Sequence, residues 1–479
     1  MKLYTRSLLW KFTAVAVIGM VIYNFFGPFL EKVKIVPVNT WFIIPFLLLL
    51  LSIAVMPFVN KRWWDKNYPL VVYILGFVVV LYYVSSLHNI SRLFLTSYEY
   101  LSFISLIGSL FVVSGGIHVR IRGKSTPIGN VAILATGAVI ANILGTTGAS
   151  MLLIRPFLRI NKYRIKGYHI VFFIFIVSNI GGALTPIGDP PLFLGYLKGV
   201  PFFWIIPRVS VIWLLTIGMV LLVFYLMDIY SFKKESMKLQ KAAAEFEEPE
   251  VSGLHNIVFL FIILASVFIE RPAPLMLREV IMWSAAIASF LTTKKEIHEK
   301  NDFNFIPIKE VAILFAGIFA TMIPALDWLE LNAASIGIVT PGQYFWGSGM
   351  LSSVLDNAPT YLNFLTAAFG LHGATVDNVQ HMHLMLGLIT PAAAGLQNPL
   401  QAGAMEITAQ TWRYVQAISQ GSVFFGAMTY IGNGPNYMVR SIAEQAGVKC
   451  PNFFGYIVRY SLPILIPIFA IVWYLFFRM

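Results

Sequence analysis

The sequence predicts an all-α polytopic membrane protein built as an inverted repeat, with one re-entrant hairpin and one broken helix in each half. Three observations carry this. Hydrophobic residues fill 58% of the 479 positions and charged residues only 12%, which leaves too little polar side chain to clothe soluble domains of this size. The apolar runs are separated by short loops in which Lys and Arg collect, so the net charge of +12 reads as a topology signal and not as a nucleic-acid surface. Finally, Gly182-Ala183-Leu184-Thr185-Pro186-Ile187-Gly188-Asp189-Pro190-Pro191 returns as Gly426-Ala427-Met428-Thr429-Tyr430-Ile431-Gly432-Asn433-Gly434-Pro435. Each copy interrupts apolar sequence with helix breakers and oxygen-bearing side chains, which is how a secondary carrier makes a polar site at mid-membrane.

Residues 1–98 read as scaffold helices. Apolar runs fall near 8–29, 41–58, 69–87 and 99–119. The first is too long for a signal-peptide core and has no clear cleavage site, so it is expected to remain as a span. Lys2 and Arg6 place the N-terminus in the cytoplasm. The second run returns to Lys61, Arg62 and Lys66, and the fourth ends at Arg120, Arg122 and Lys124, so the alternation holds. Cys450 is the single cysteine, which excludes a disulfide framework and a thiolate cluster.

The first repeat is expected over 99–229. Apolar sequence from Pro127 to Asn142 meets Gly145-Thr146-Thr147-Gly148 and continues only to Leu158, with basic residues beyond both ends. About a dozen residues cannot cross a bilayer, so a hairpin re-entering from the cytoplasm fits, its polar tip covered by protein. The chain enters again at Gly167, breaks from Gly181 to Pro191, turns at Lys198-Gly199 and returns over 203–228, where Asp228 is expected to be solvated at the boundary. Residues 230–253, rich in Lys and Glu, read as a cytoplasmic linker, and 254–307 as a connecting helix pair.

The second repeat is expected over 308–479. Its hairpin tip, Leu355-Asp356-Asn357-Ala358-Pro359-Thr360, lies where Leu144-Gly145-Thr146-Thr147-Gly148-Ala149 lies in the first half. Its flanks, Asp327 and Glu330 before it and His372 and Asp377 after it, are those of an outer face. A broken helix over 413–447 and a last span over 453–477 leave the C-terminus external. The total is about eleven spans and two hairpins.

The chemistry is expected where the two tips and two breaks converge. Asp189 sits between Gly188 and Pro190, and a buried carboxylate there needs a cation or a proton; the competing reading makes it a helix N-cap at the outer rim. Asp356 and Asn357 lie at the second tip, with Ser352, Ser353 and Thr360 nearby, unless that tip is a surface loop. Asn142, Thr146 and Thr147 are their neutral counterparts. Thr185 and Thr429 are matched in the two copies and offer hydroxyls either to a ligand or back to their own helices. Hydroxyls, amides, carboxylates and freed carbonyls are hard oxygen ligands suited to an alkali cation. Glu270 and Arg271 read as an interfacial pair, His118 as a snorkelling side chain, Trp63 and Trp64 as interface anchors. His381 and His383 lack partners at metal-ligand spacing. No nucleophile–base set or cofactor motif appears, so neither enzyme activity nor a cofactor is expected.

The element from Ser178-Asn179-Ile180-Gly181 through Asp189-Pro190-Pro191, with Leu355 to Thr360, resembles the NhaD-type sodium/proton antiporters of the ion transporter superfamily, which also holds citrate, dicarboxylate and arsenite carriers. The resemblance covers most of the chain from about residue 40. It implies the inverted-repeat ion transporter fold, an inner-membrane location, export of Na⁺ or Li⁺ against inward protons, and commonly a homodimer. It further implies that Asp189 and Asp356 form the titrating, Na⁺-binding pair, helped by Asn142, Asn179, Asn357, Thr185 and Asn433. Mutual repulsion would separate the pair's titrations, so activity is expected to rise at alkaline pH. Sodium dicarboxylate relatives carry Ser-Asn-Thr at both tips, which is missing here twice. The alternative is an Na⁺-coupled symporter of citrate, a dicarboxylate or another oxyanion.

Overall fold

The computed structural model of the protein describes residues 33–120, 125–234, 250–269 and 274–478, with a few positions between 14 and 24. Most of the first apolar run, Arg122 and Lys124, much of the linker and the Glu270–Arg271 pair lie outside the described residues. The chain is an all-α polytopic membrane protein. Among the described residues, eight helical segments are long and apolar enough to cross a membrane.

In order, these residues form α1 (Ile44–Val59), α2 (Lys61–Ser85), α3 (Ile90–Gly115), β1 (His118–Arg120), α4 (Pro127–Ile160), α5 (Gly167–Ile176), α6 (Pro190–Leu197), α7 (Ile205–Lys233) and β2 (Glu250–Ser252). Then come α8 (Asn256–Val267), α9 (Leu277–Thr292), α10 (Lys295–Lys300), α11 (Ile306–Asn332), α12 (Pro341–Ser352), α13 (Asn357–Leu371), α14 (Val379–Met385), α15 (Trp412–Phe425) and α16 (Gly434–Gln445). The last segment, from α17 (Phe453–Tyr456) to α18 (Ile466–Phe476), passes through a π-helical stretch, Ile457–Leu465, that contains Pro463. A proline removes one donor from the ladder, and a wider turn accommodates the loss.

The chain divides into two compact units. The first comprises residues 1–119 and 250–325. Here α3 starts nine residues earlier than the apolar pattern suggests, because Asn89 caps it by accepting from the Arg92 N–H at 3.3 Å and the polar turn with Arg92, Thr96 and Glu99 is buried inside the unit. One face of α3 meets α9 through paired polar groups. Ser102 Oγ donates to Glu279 Oε1 at 2.6 Å and Trp283 Nε1 donates to Ser105 Oγ at 3.0 Å. Gly108 makes room for the Trp283 ring, which would lie 2.7 Å from a β-carbon there. His118 is a correction to the expected snorkelling side chain: it is only 5% exposed and its Nδ1 lies 2.8 Å from Asn301 Oδ1. Likewise Trp64 is buried in the core while Trp63 is 43% exposed.

His298, on α10 and outside the spans, packs against Phe290 and Phe303 with ring centroids 4.9 and 5.1 Å away. Burial pushes its imidazole below the ordinary value of 6.5, so the folded chain holds it neutral where an unfolded chain would take up a proton. The sign follows from linkage: stability is full above about pH 6.5 and declines as pH falls below it. His298→Gln should flatten that acid limb in thermal unfolding of the purified protein; an unchanged limb would remove His298 as its source.

The second unit comprises residues 120–249 and 326–479. Within α4, Gly145 has φ 73° and ψ 158°, outside helical geometry, and the chain doubles back there. Asn130 Nδ2 donates to Asn161 Oδ1 at 2.9 Å and Asn161 Nδ2 returns a bond to Asn130 Oδ1 at 2.8 Å. A straight helix would hold these residues about 46 Å apart. This segment is hairpin one. In hairpin two, α12 and α13 pack side by side, and Gly347 lies against the Phe364 ring. The broken helices are α5–α6, interrupted from Val177 to Asp189, and α15–α16, interrupted from Gly426 to Asn433. From Tyr168 to Ile176 every residue of α5 is buried, as expected for a helix that is apolar all round. Asp327 is fully buried within α11, three residues past Pro324 inside the same helix.

Candidate functional site

Each break is laid onto the tip of its own hairpin by the same set of bonds. In the first half, Thr185 Oγ1 donates to the Asn142 carbonyl at 2.7 Å and accepts from the Gly188 N–H at 3.1 Å. In the second, Thr429 Oγ1 donates to the Ser353 carbonyl at 2.6 Å and accepts from the Gly432 N–H at 3.1 Å. The alignment that sets the two tips on one another also sets Asn142 on Ser353, so the hydroxyls do equivalent work. They fasten loop to hairpin and do not bond back to their own helices.

Further bonds seat hairpin one. Asn142 Nδ2 donates to the Gly181 carbonyl at 2.7 Å and Asn142 Oδ1 accepts from the Leu184 N–H at 3.0 Å. The Thr146 N–H donates to the Gly188 carbonyl at 2.8 Å, a backbone bond that joins the tip of hairpin one directly to break one.

At the centre is Asp189. It occupies the N-cap position of α6, yet its side chain does not cap that helix, and it is 0% exposed. Its oxygens turn instead to three other elements. Thr146 Oγ1 at tip one donates to Oδ1 at 2.7 Å, Asn433 Nδ2 in break two donates to Oδ1 at 2.9 Å, and Asn357 Nδ2 at tip two donates to Oδ2 at 2.5 Å. Thr146 and Asn357 are equivalent under the alignment of the tips, and Asn433 is the counterpart of Asp189 itself. One carboxylate thus receives a neutral donor from each of the other three polar clusters.

The other expected residues fall around this centre. Asn179 Nδ2 donates to Asn436 Oδ1 at 2.7 Å, and Asn436 Nδ2 holds the carbonyls of Gly426 and Thr429 at 2.8 and 2.9 Å, which ties the two breaks together. Asp356 caps α13 by accepting from the Ala358 N–H at 3.0 Å and is half-buried; its neighbour Asn357 is the residue that touches Asp189. Thr147, beside the tip, is also half-buried. Asn179 Oδ1 and Asn357 Oδ1 are buried amide oxygens without a hydrogen-bond partner among the described residues. Oxygens of that kind suit an alkali cation.

Asn436 carries no signal in the repeated motif, because its counterpart in the first copy is Leu192. Asp228 is a correction: expected to be solvated, it is 0% exposed, because Arg164, Tyr168 and Asn130 all donate to it. Arg164, read from sequence as a loop cation, is likewise buried, 4% exposed.

A multi-pass chain whose two broken helices and two hairpin tips meet at one buried carboxylate has the build of a membrane transporter. Residues 35–477 match the family model described as "Putative citrate transport", and the chain belongs to that family. No curated protein matches it.

Proposed function

We propose that the protein is a secondary antiporter that exchanges cytoplasmic Na⁺ or Li⁺ for external H⁺ across the cell inner membrane, with Asp189 as the group for which cation and proton compete. The observation that carries this reading is the environment of Asp189: fully buried, with three uncharged donors and, among the described residues, no Lys or Arg hydrogen-bonded to it. A bare carboxylate so placed is costly, and either a proton or a cation relieves the cost. The amides of Asn179, Asn357 and Asn433 can offer oxygen to a dehydrated cation, and Asp356 adds negative charge beside the site.

In this cycle Na⁺ binds at the ionised site when it faces the cytoplasm, and a proton from outside displaces it when access is reversed. The loaded states cross, whereas the ionised, empty state does not. Because tip one, tip two and break two all bond to Asp189, a change in its occupant acts on every element that must rearrange.

Na⁺-coupled symport of citrate is the second reading, favoured by the family description. Two carboxylates at the site oppose an approaching tricarboxylate unless bound cations offset them, which places antiport first. Proteoliposomes with a preset pH gradient and an internal pH dye separate the two. Addition of Na⁺ should dissipate the gradient without citrate; a response that requires citrate would favour symport and count against antiport.

A further inference from the structure

We propose that Asp228 is a positioning residue that sets the depth of hairpin one, and with it the place of Thr146 against Asp189. Asp228 lies on α7, and the donors on its carboxylate come from three stretches of chain. Arg164 follows the second arm of the hairpin and grips both oxygens, Nη1 to Oδ1 and Nη2 to Oδ2, each at 2.6 Å. Asn130, on the first arm, donates to Oδ2 at 3.1 Å, and Tyr168, in the first turn of α5, donates to Oδ1 at 2.6 Å. His169 Nε2 lies 3.1 Å from Oδ1, and the ring's Nδ1 accepts the Lys166 N–H at 3.1 Å, so the proton of a neutral ring sits on the side facing Asp228.

The open end of the hairpin is fastened a second time. The reciprocal Asn130–Asn161 amide pair closes it, Ser125 Oγ donates to Asn161 Oδ1 at 2.6 Å, and Arg164 Nε donates to the Ser125 carbonyl at 2.6 Å. Both ends of hairpin one and the start of the broken helix that bears Asn179 and Asp189 are therefore tied to one point on α7.

Stability alone does not account for this arrangement, since a buried ion pair holds a fold no better than a well-packed apolar pair of similar volume. What a fork of charged hydrogen bonds adds is direction. Apolar contacts along the hairpin arms are non-directional and tolerate small axial slips. The tip does not: it must deliver Thr146 N–H to Gly188 and Thr146 Oγ1 to Asp189 at hydrogen-bond length. Pro156 interrupts the second arm, but the first arm carries no proline over the roughly 22 Å between Asn130 and Gly145, so fixing the mouth through Asn130 fixes the tip.

The test replaces the pair by apolar residues, Arg164→Met with Asp228→Leu, which leaves no unpaired charge. Hydrogen exchange of the purified protein is followed over residues 127–160 and 341–371, and Na⁺-driven proton flux is measured in proteoliposomes. Exchange at the tip of hairpin one should rise about tenfold while hairpin two is unchanged, and the apparent KM for Na⁺ should rise about tenfold with the maximal rate within about twofold. Wild-type exchange together with wild-type KM would overturn the proposal. If the double variant does not accumulate, Arg164→Lys keeps the charge, loses the fork and is judged by the same two outcomes. The KM readout rests on the proposed antiport, but the exchange readout does not. A wild type without Na⁺-driven flux would thus count against antiport and leave hydrogen exchange to decide the role of Asp228.

Discussion

Asp189→Asn should reduce Na⁺-driven proton flux by about 100-fold or more while the protein remains folded. The substitution keeps the shape of the side chain and removes the carboxylate proposed to exchange a proton for a cation. A unit negative charge about 4 Å from a cation is worth about 4 kcal/mol at an effective dielectric of about 20, and about 2.8 kcal/mol corresponds to two decades in affinity. Loss of the Asp189 charge should therefore exceed that threshold. Thermal stability in detergent should change little, because removal of a buried charge offsets weaker hydrogen bonds from Thr146, Asn357 and Asn433. Asp356→Asn provides the contrast. Asn caps a helix about as well as Asp, so α13 should persist, and the weaker field at the site should appear as a higher KM for Na⁺. Flux near the wild-type level in Asp189→Asn would exclude Asp189 as the exchanging group.

Gly188→Ala should be the most damaging glycine-to-alanine substitution in the second unit. A β-carbon at that position would lie 2.1 Å from the Gly182 carbonyl oxygen and 2.9 Å from Asn142 Oδ1. The first obstacle is backbone, which cannot swing aside as a long side chain can, and overpacking of this kind costs about 1–3 kcal/mol or more. Any shift of Gly188 also moves the carbonyl that receives the Thr146 N–H at 2.8 Å, so hairpin one and break one should separate together. Flux should fall below about a tenth of wild type with a lower unfolding temperature. Gly432→Ala, the matched position, meets the Gly426 and Ser352 carbonyl oxygens at 2.7 and 2.8 Å and should be damaged less. Gly218→Ala, on α7, meets nothing within 4 Å and should be neutral. Equal flux in Gly188→Ala and Gly218→Ala would show that the close approach of break to hairpin does not matter.

The breaks, the tips and most helices were legible in the sequence because each rests on a local signal: Gly and Pro inside apolar runs, basic residues between them, and a motif that occurs twice. Asp189 and Asn433 stood out as a matched pair, and the structure puts them in contact. Roles that depend on a distant partner were not legible. Thr185 and Thr429 were visible as counterparts, but nothing local tells that each hydroxyl reaches a carbonyl on the facing hairpin. Asn436 was missed because the repeat offers Leu192 in its place. Arg164 and Asp228 were misplaced for a related reason: a charge near the end of an apolar run looks the same in sequence whether it meets water or a partner, and only the doubling back of hairpin one brings Asn130, Arg164 and Tyr168 onto Asp228. The start of α3, ahead of the apolar run at 99–119, was not legible because burial of Arg92 and Thr96 is a property of the packed unit.

The competition at Asp189 is tested most directly by adding Na⁺ to the purified protein in weakly buffered detergent solution and recording proton release with a pH dye. The wild type should release protons as Na⁺ binds, and Asp189→Asn should release none. Na⁺ binding to the wild type without proton release at any pH between about 6 and 9 would contradict the account.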